Sequence, residues 1–440
     1  MRDCTRTVAA LACAVASSTA GAAEDRVRAT LARLDALYPE LDALYCDLHR
    51  NPELSGHEEK TAARMAARVR AAGFEVTENV GGHGVVGVLR NGKGPTVMLR
   101  TDLDALPVKE DTGLPYASAV TVPADDGAPI SVMHACGHDV HMSSWVGAAT
   151  LLARAKDRWR GTLVMVGQPA EEMGTGAAAM LADGLYTRFP RPDFAVAVHD
   201  AADRPAGQVA TLAGAMLANA SVVYVTVYGR GGHGAYPHKS VDPIVIAARI
   251  VVALQTIVAR EVNPLDPAVV TVGSIHGGTK SNIIPDDVKL AITVRSFKDE
   301  VQQQLIAAIE RIAKAEAAAA AAPKEPTVTV APGAAHATVN DPALVHRLVP
   351  AVAKALGPDR VVEATPVMGA EDFSEYGRAG VPAAFFFVGA VEPKLFAEAT
   401  AAGKPLPALH SSKFAPDRER TIRAAVTTLV ASALELLPPR

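Results

Sequence analysis

The run Thr162-Leu-Val-Met-Val-Gly-Gln-Pro-Ala-Glu-Glu172 decides how this chain is to be read, because an apolar stretch over 162–167 stops at a turn and two adjacent carboxylates. An apolar run of that length, bounded by turn residues, is a buried strand. The same form recurs at Gly84 to Arg90, Thr96 to Leu99 and Phe194 to Val198. Helical spacing at Val140 to Lys156 and Gly174 to Leu181 lies between some of these runs, which predicts an α/β domain around a largely parallel sheet. Upstream, from Glu24 to about Gly73, the pattern is helical, with Leu34, Leu37, Leu41, Leu44 and Leu48 on one face before a turn at Asn51-Pro52. Near the other end, Ala383 to Val388 is a further apolar strand and Arg420 to Leu437 a last helix.

Open α/β sheets bind ligands at the carboxyl ends of their strands. Here those ends carry Asp102 and Asp104, then Glu171 and Glu172, then His199. Any one of them alone reads as a solvated loop group; the recurrence at three strand ends points to one shared site. The densest cluster is Met133-His-Ala-Cys-Gly-His-Asp139, just ahead of a helix, where Cys136 and His138 stand two apart. Thiolate and imidazole are the favoured ligands of zinc-like ions. A lone Cys-x-His is equally a buried cysteine beside ordinary histidines, so the weight rests on the other strand-end groups.

The texture changes after Gly207. Val223, Val225 and Val227 alternate in a strand, an apolar helix runs from Asp242 to Glu261, and Ala268 to Ile275 is again a strand. Val288, Leu290, Ile292 and Val294 alternate next, a helix covers Lys298 to about Glu316, and Thr327 to Val330 closes the set. This β-α-β-β-α-β order predicts a ferredoxin-like domain inserted into the first. The alternation also puts Arg295 on the sheet face opposite Val294. The alanine run Ala317 to Ala322, stopped by Pro323, reads as a helix end and a connection.

The chain has 440 residues, 49% hydrophobic and 20% charged, which calls for two domains. A formal charge of -4 with scattered basic residues excludes a nucleic-acid partner from the expectations. Arg2 and Arg6 precede an apolar run, Thr7 to Ala16, and small residues ending in Ala22-Ala23, the form of a secretory signal over 1–23. The expected location is the periplasm or the exterior, with no membrane association after cleavage, since no later stretch reads as long and charge-free enough to span a bilayer. Ala10-Leu-Ala12 ahead of Cys13 makes a poor lipidation signal. Cys4 and Cys13 leave with the signal, and counting alone leaves a bridge between Cys46 and Cys136 open.

From about Leu48 to Leu436 the chain resembles the metal-dependent aminoacylases, hippurate hydrolases and auxin-conjugate hydrolases, relatives of the dimetal aminopeptidases and carboxypeptidases. The resemblance rests on Asp102-Leu-Asp-Ala-Leu-Pro107, His134-Ala-Cys-Gly-His-Asp139, Gln168-Pro-Ala-Glu-Glu172, Gly231-Gly-His-Gly-Ala-Tyr-Pro-His238, Asn282-Ile-Ile-Pro-Asp286, Met368-Gly-Ala-Glu-Asp-Phe373 and Leu409-His-Ser411. It implies two divalent ions per subunit, zinc or manganese with cobalt or nickel as substitutes. Cys136 would bridge them, His138 and His199 completing one shell, Glu172 and His410 the other. A bridging thiolate is then not available for a disulfide. The resemblance further implies Glu171 as general base, Asp104 as the group orienting a histidine ligand, and His233 as an oxyanion donor to a partner subunit's site. Asn282 and Arg295 would grip the substrate carboxylate, a task suited to a guanidinium fork. The pairing of Glu171 with Glu172 fits such chemistry, because one carboxylate holds metal while its neighbour takes the proton.

The expected architecture is therefore a mostly parallel-sheet α/β dimetal hydrolase domain, at 24–211 and 333–440, interrupted by a ferredoxin-like α+β lid and dimerisation domain at 212–332. The expected substrate is an N-acyl amino acid, and the expected assembly a homodimer or higher homo-oligomer through the lid. Apolar residues on several faces of the helix Asp242 to Glu261 support association, with Ile244, Ala248, Val251, Leu254 and Val258 assigned to cover the sheet. Departures from the family pattern, at Asp200-Ala-Ala-Asp203, Gly234, Met173 and Thr175, remove no ligand but bear on substrate choice. Three other readings are a dipeptidase or carboxypeptidase on the same ions, a periplasmic metal- or ligand-binding protein without catalysis, and a thiol hydrolase built on Cys136 and His138.

Overall fold

Leucines three and four residues apart give a helix one apolar face, and the computed structural model, which describes residues 26–124 and 127–440, forms it as α1 (Leu34–Arg50) with all five leucines buried. The signal read at 1–23 lies outside the described residues. The helical reading of 24–73 resolves into helical residues over 26–31, then α1, an irregular link, and α2 (Glu59–Ala71). Pro52 ends α1, since the residue before a proline is pushed out of helical geometry.

The two larger sheets take six strands from ahead of the insertion: β1 (Glu75–Val80), β2 (Gly84–Asn91), β3 (Thr96–Asp102), β4 (Gly161–Gln168), β5 (Phe194–Pro205) and β6 (Val209–Thr211). Four lie within it, β7 (Asn219–Tyr228), β8 (Ala268–His276), β9 (Asp287–Ser296) and β10 (Thr327–Val330), and β11 (Val361–Glu363) and β12 (Ala383–Val391) follow. One sheet has the order β1-β2-β4-β3-β5-β12-β6-β11. Its centre, β4-β3-β5-β12, is parallel, as is β6-β11, while β1-β2, β2-β4 and β12-β6 are antiparallel. The parallel centre is what brings three strand ends to one edge.

Helix α3 (His138–Arg154) packs with α1 and the helix Arg418–Leu436 in one core, where Trp145 is fully buried and its indole N–H donates to the Leu99 carbonyl at 3.0 Å. Gly147 makes the approach possible. A Cβ there would lie 2.7 Å from Val426 and 2.8 Å from Leu41, so a larger residue would push the helices apart. Each large apolar side chain buried in this way contributes roughly 1.5–3 kcal/mol.

The chain divides into two compact units, one formed by residues up to Gly214 with Val339–Thr365 and Glu375–Arg440, the other by Ala215–Thr338 with Pro366–Ser374. The expected limits of the insertion are 212 and 332, which exclude 366–374. Backbone bonds explain the difference: Val367 N–H donates to the Met216 carbonyl at 3.0 Å and Ala218 N–H to the Gly369 carbonyl at 2.8 Å, a pairing across 151 residues with no local pattern.

In the second unit the sheet order is β8-β9-β7-β10 with every neighbouring pair antiparallel, the ferredoxin-like arrangement. α4 (Pro243–Thr256) and α5 (Asp299–Ala319) pack on the face formed by Val223, Val225, Val227, Val288, Leu290, Ile292 and Val294. The stripe assigned to α4 is corrected here. Ile246, Ala247, Ile250, Leu254 and Ile257 are buried, whereas Ile244, Ala248 and Val258 are exposed and Val251 is half-buried. The helix is apolar on several faces, so spacing alone could not choose among them. A second correction concerns membranes: Pro243–Glu261, whose last turn is a π-helix, is long and apolar enough to cross one. Its buried stripe nonetheless joins the core of this unit.

Candidate metal centre

The turn after β4, the interior of β5, the start of α3 with the turn before it and one loop deliver the donors; β5 runs on to Pro205, past the end expected at Val198. β4 ends at Gln168, and the chain turns through Pro169 and Ala170 so that Glu171 and Glu172 follow at once. Cys136 stands one residue before Gly137, whose φ of 71° is left-handed. No other residue type suits position 137, because a Cβ would also strike the Asp200 carboxylate. The turn lets α3 start at His138. His199 lies within β5, and His410 sits in a loop with a left-handed φ of 65°, its N–H donating to the Ala135 carbonyl at 2.8 Å.

These residues meet at the Cys136 sulfur. His410 Nε2 is 3.2 Å from Sγ and His199 Nε2 is 3.5 Å from it. Donor atoms of Cys136, His138 and His199 all lie within 4.8 Å of one another, and so do those of Cys136, Glu172 and His410. The sulfur is common to both triplets. Cys46 and Cys136 are free thiols, so the bridge that counting left open is not formed.

His138 and His199 are each oriented by the other ring nitrogen, as ligand histidines are. His138 Nδ1 donates to the Asp104 carbonyl at 2.8 Å, with the Asp104 Oδ1 at 3.3 Å, and His199 Nδ1 donates to the Asp200 carbonyl at 2.6 Å. His138 Nε2 is thereby turned toward Glu172 Oε1 at 3.8 Å and Glu171 Oε2 at 3.9 Å. Both His138 Nε2 and Glu172 Oε1 are buried without a hydrogen-bond partner.

Buried donors left without partners suit metal ions. A tetrahedral ion with bonds of about 2.0–2.3 Å holds its ligand atoms about 3.3–3.8 Å apart, close to the 3.5 Å from Cys136 Sγ to His199 Nε2 and the 3.5 Å from His410 Nε2 to Glu172 Oε1. Burial lifts the Cys136 thiol well above its usual range, and burial lifts the Glu172 carboxyl to about 7. Groups that burial pushes toward neutrality need cations to hold them as anions. The donor set fits two divalent ions.

Asp102 and Asp104 are legible in the sequence, whereas Arg100, His141 and Ser55 beside them are not. Arg100, buried, donates to Asp102 Oδ2 and to Gln168 Oε1, both at 2.9 Å. His141, one helical turn after His138, spans Asp102 at 2.8 Å and Asp200 at 3.1 Å. Burial opposes ionisation of Asp102, but His138, His141 and Arg100 outweigh it and hold that carboxyl well below the usual range. The spacing of His138 and His141 on one helix face was the available signal. Ser55 donates to Asp104 Oδ2 at 2.6 Å, and nothing in the local pattern marks it.

The remaining candidates lie in the second unit. His233 and Ile283 pair in a two-stranded ribbon, and Gly234 N–H donates to the Asn282 carbonyl at 2.8 Å, so His233 and Asn282 are neighbours. Gly234 leaves little room, since a Cβ would come within 3.3 Å of the Asn282 backbone. The Ala235 N–H donates to His233 Nδ1 at 3.1 Å. Arg295 is half-buried on the face of β9 opposite Val294, with Nη1 3.4 Å from the Met368 carbonyl.

Residues 98–406 match the profile of peptidase family M20/M25/M40. The chain is 36% identical over 376 residues to Thermostable carboxypeptidase 2 of Saccharolobus solfataricus, covering 84% of this chain and 89% of that one. It is 40% identical over 268 residues to the hippurate hydrolase of Campylobacter jejuni, covering 61% of this chain and 67% of that one. Among solved structures, the YxeP protein of Bacillus subtilis, described as a dinuclear metal binding peptidase, superimposes with a TM-score of 0.71 at 27% identity, over 91% of this chain and 99% of that one.

Proposed function

The chain belongs to peptidase family M20/M25/M40, and on that premise we propose that it is an exported amidohydrolase that cleaves N-acyl amino acids. The observation that carries the reading is a single sulfur, Cys136, common to two donor triplets beside the Glu171-Glu172 pair. Cys136 would hold both ions, with His138 and His199 on one and Glu172 and His410 on the other. When bound, two zinc or manganese ions acidify a water and polarise the amide carbonyl.

Glu171 takes the proton from the attacking water and passes it to the leaving amine, a role suited to a carboxylate only 9% exposed at the edge of the donor cluster. Asp104 keeps His138 in one tautomer. His233 accepts a hydrogen bond from the Ala235 N–H at Nδ1, which leaves Nε2 to carry the ring proton and donate to an oxyanion. We assign that donor to a partner subunit's site. Arg295 and Asn282 bind the substrate carboxylate. Val245 and Val252 of α4, 55% and 72% exposed, are the apolar surface on which the proposed homodimer rests.

The test is a substrate panel with metal-reconstituted protein. N-benzoyl and N-acetyl amino acids are expected to be cleaved at least tenfold faster than dipeptides. The reverse order would favour a carboxypeptidase, the activity named in the 36% identical relative. Activity that survives complete chelation would favour a thiol hydrolase on Cys136 and His138.

A further inference from the structure

We propose that Glu58 is a positioning residue for hydrolysis, whose carboxylate holds the backbone at Ala170 in a left-handed turn and thereby aims Glu171. The inference rests on the assignment of Glu171 as base.

Glu58 is fully buried. Its Oε1 accepts the Ala170 N–H at 2.8 Å, across 112 residues, and the Gly56 N–H at 2.8 Å, while Oε2 has no hydrogen-bond partner. Helix capping does not account for it. Glu58 is the N-cap residue of α2, yet its side chain bonds no amide of that helix. Glu53 does that work instead, accepting the Thr61 N–H at 2.7 Å and the Thr61 hydroxyl at 2.8 Å. Burial raises the Glu58 carboxyl above its usual range, and a polar group with one oxygen left unpaired is costly to bury; what the group does lies at the far end of its bond to Ala170.

At that end is Ala170, with φ of 52°. A residue with a Cβ disfavours this conformation by about five- to thirtyfold in population. The turn it begins is tight: Thr175 and Gly176 N–H both donate to the Ala170 carbonyl at 3.3 Å, and Gly174 N–H donates to the Glu171 carbonyl at 2.7 Å. A Cβ at Gly176 would strike the Pro169 carbonyl. Two residues on, the Glu172 N–H donates to Asp104 Oδ2 at 3.0 Å. Alternate amides of the turn are thus gripped by two buried carboxylates, Glu58 and Asp104, and Glu171 is presented between them.

The experiment compares Glu58→Ala, Glu58→Gln, and Glu58→Ala combined with Ala170→Gly, each as folded, metal-loaded protein. Glu58→Ala is expected to lower kcat tenfold or more, with KM and metal content by elemental analysis unchanged. Glycine takes a φ of 52° without the Cβ penalty, so adding Ala170→Gly should restore kcat about fivefold. Glu58→Gln keeps an acceptor oxygen and should lose less than the alanine variant. Hydrogen exchange of the peptide spanning 168–174 should accelerate in Glu58→Ala and stay slow in Glu171→Gln. A purely structural role would lower melting temperature and leave kcat per folded molecule unchanged, and that result would overturn the proposal. So would loss of metal together with activity, equal losses in the alanine and glutamine variants, or no recovery with glycine. If Glu171→Gln proved fully active, the base assignment would fall, while the exchange data would still decide whether Glu58 holds the turn.

Discussion

His49 should make this protein less stable as the pH rises from 6.5 to 9, and the size of the effect follows from its surroundings. The imidazole lies on α1 with its side chain 1% exposed, Nδ1 2.6 Å from Asp139 Oδ2 and Nε2 3.1 Å from Glu110 Oε1. Both ring nitrogens face acceptors, so both carry protons and the ring is a cation. Burial works against that charge, but the hydrogen bonds and charges of Asp139 and Glu110 outweigh it and raise the pKa to about 9. An unfolded histidine titrates near 6.5. With the folded value above the unfolded one, the stabilisation is complete below pH 6.5 and is lost as the pH climbs through 9. A shift of this size is worth on the order of 3 kcal/mol, lost at about 1.4 kcal/mol per pH unit. The perturbation is His49→Gln, which cannot become charged. Unfolding free energies from urea titrations at pH 6, 7.5, 9 and 10 should show the wild-type curve falling toward the variant's and the gap closing by about 3 kcal/mol. Two curves that stay parallel over this range would refute the reasoning.

Three other outcomes are expected. Glu171→Gln should keep its metal and lose about a hundredfold to ten-thousandfold in kcat, since an amide cannot take the proton; near-normal turnover in steady-state assays would remove Glu171 from the mechanism. Cys136→Ser should lower metal content and activity together, because a hydroxyl is a far poorer bridging ligand than a thiolate; elemental analysis showing unchanged occupancy would reduce Cys136 to a packing residue. Mixing inactive His233→Ala with inactive Glu171→Gln should restore activity on subunit exchange, as one site in the mixed dimer holds both intact groups. Verified exchange without recovery, or a fully active monomer in sedimentation, would end the assignment in trans.

What could be read beforehand follows from where each signal is stored. Strand ends were legible because an apolar run that stops at Asp102, Glu171 or His199 is a local event. His410 had no such pattern, and only its resemblance to known hydrolases marked it. The supports of the site were not read because their partners are distant backbone groups or other buried charges: Ser55 on Asp104, Arg100 on Asp102, Glu58 on an amide 112 residues away. α4 shows the converse limit. Its apolar residues were plain, yet with several apolar faces available the packed one is chosen by the sheet it meets.

Cys136 and His410 touch, and 274 residues separate them along the chain. Made amino end first at about 5–20 residues per second, the thiol waits roughly 14–55 s for its last partner. The contiguous insertion Ala215–Thr338 contains nearly all of its own unit and can fold within that interval. The metal centre cannot. Capture of the ions proposed for this site would therefore be among the last events of biogenesis, and until then the thiol would stay open to oxidation or to a competing ion.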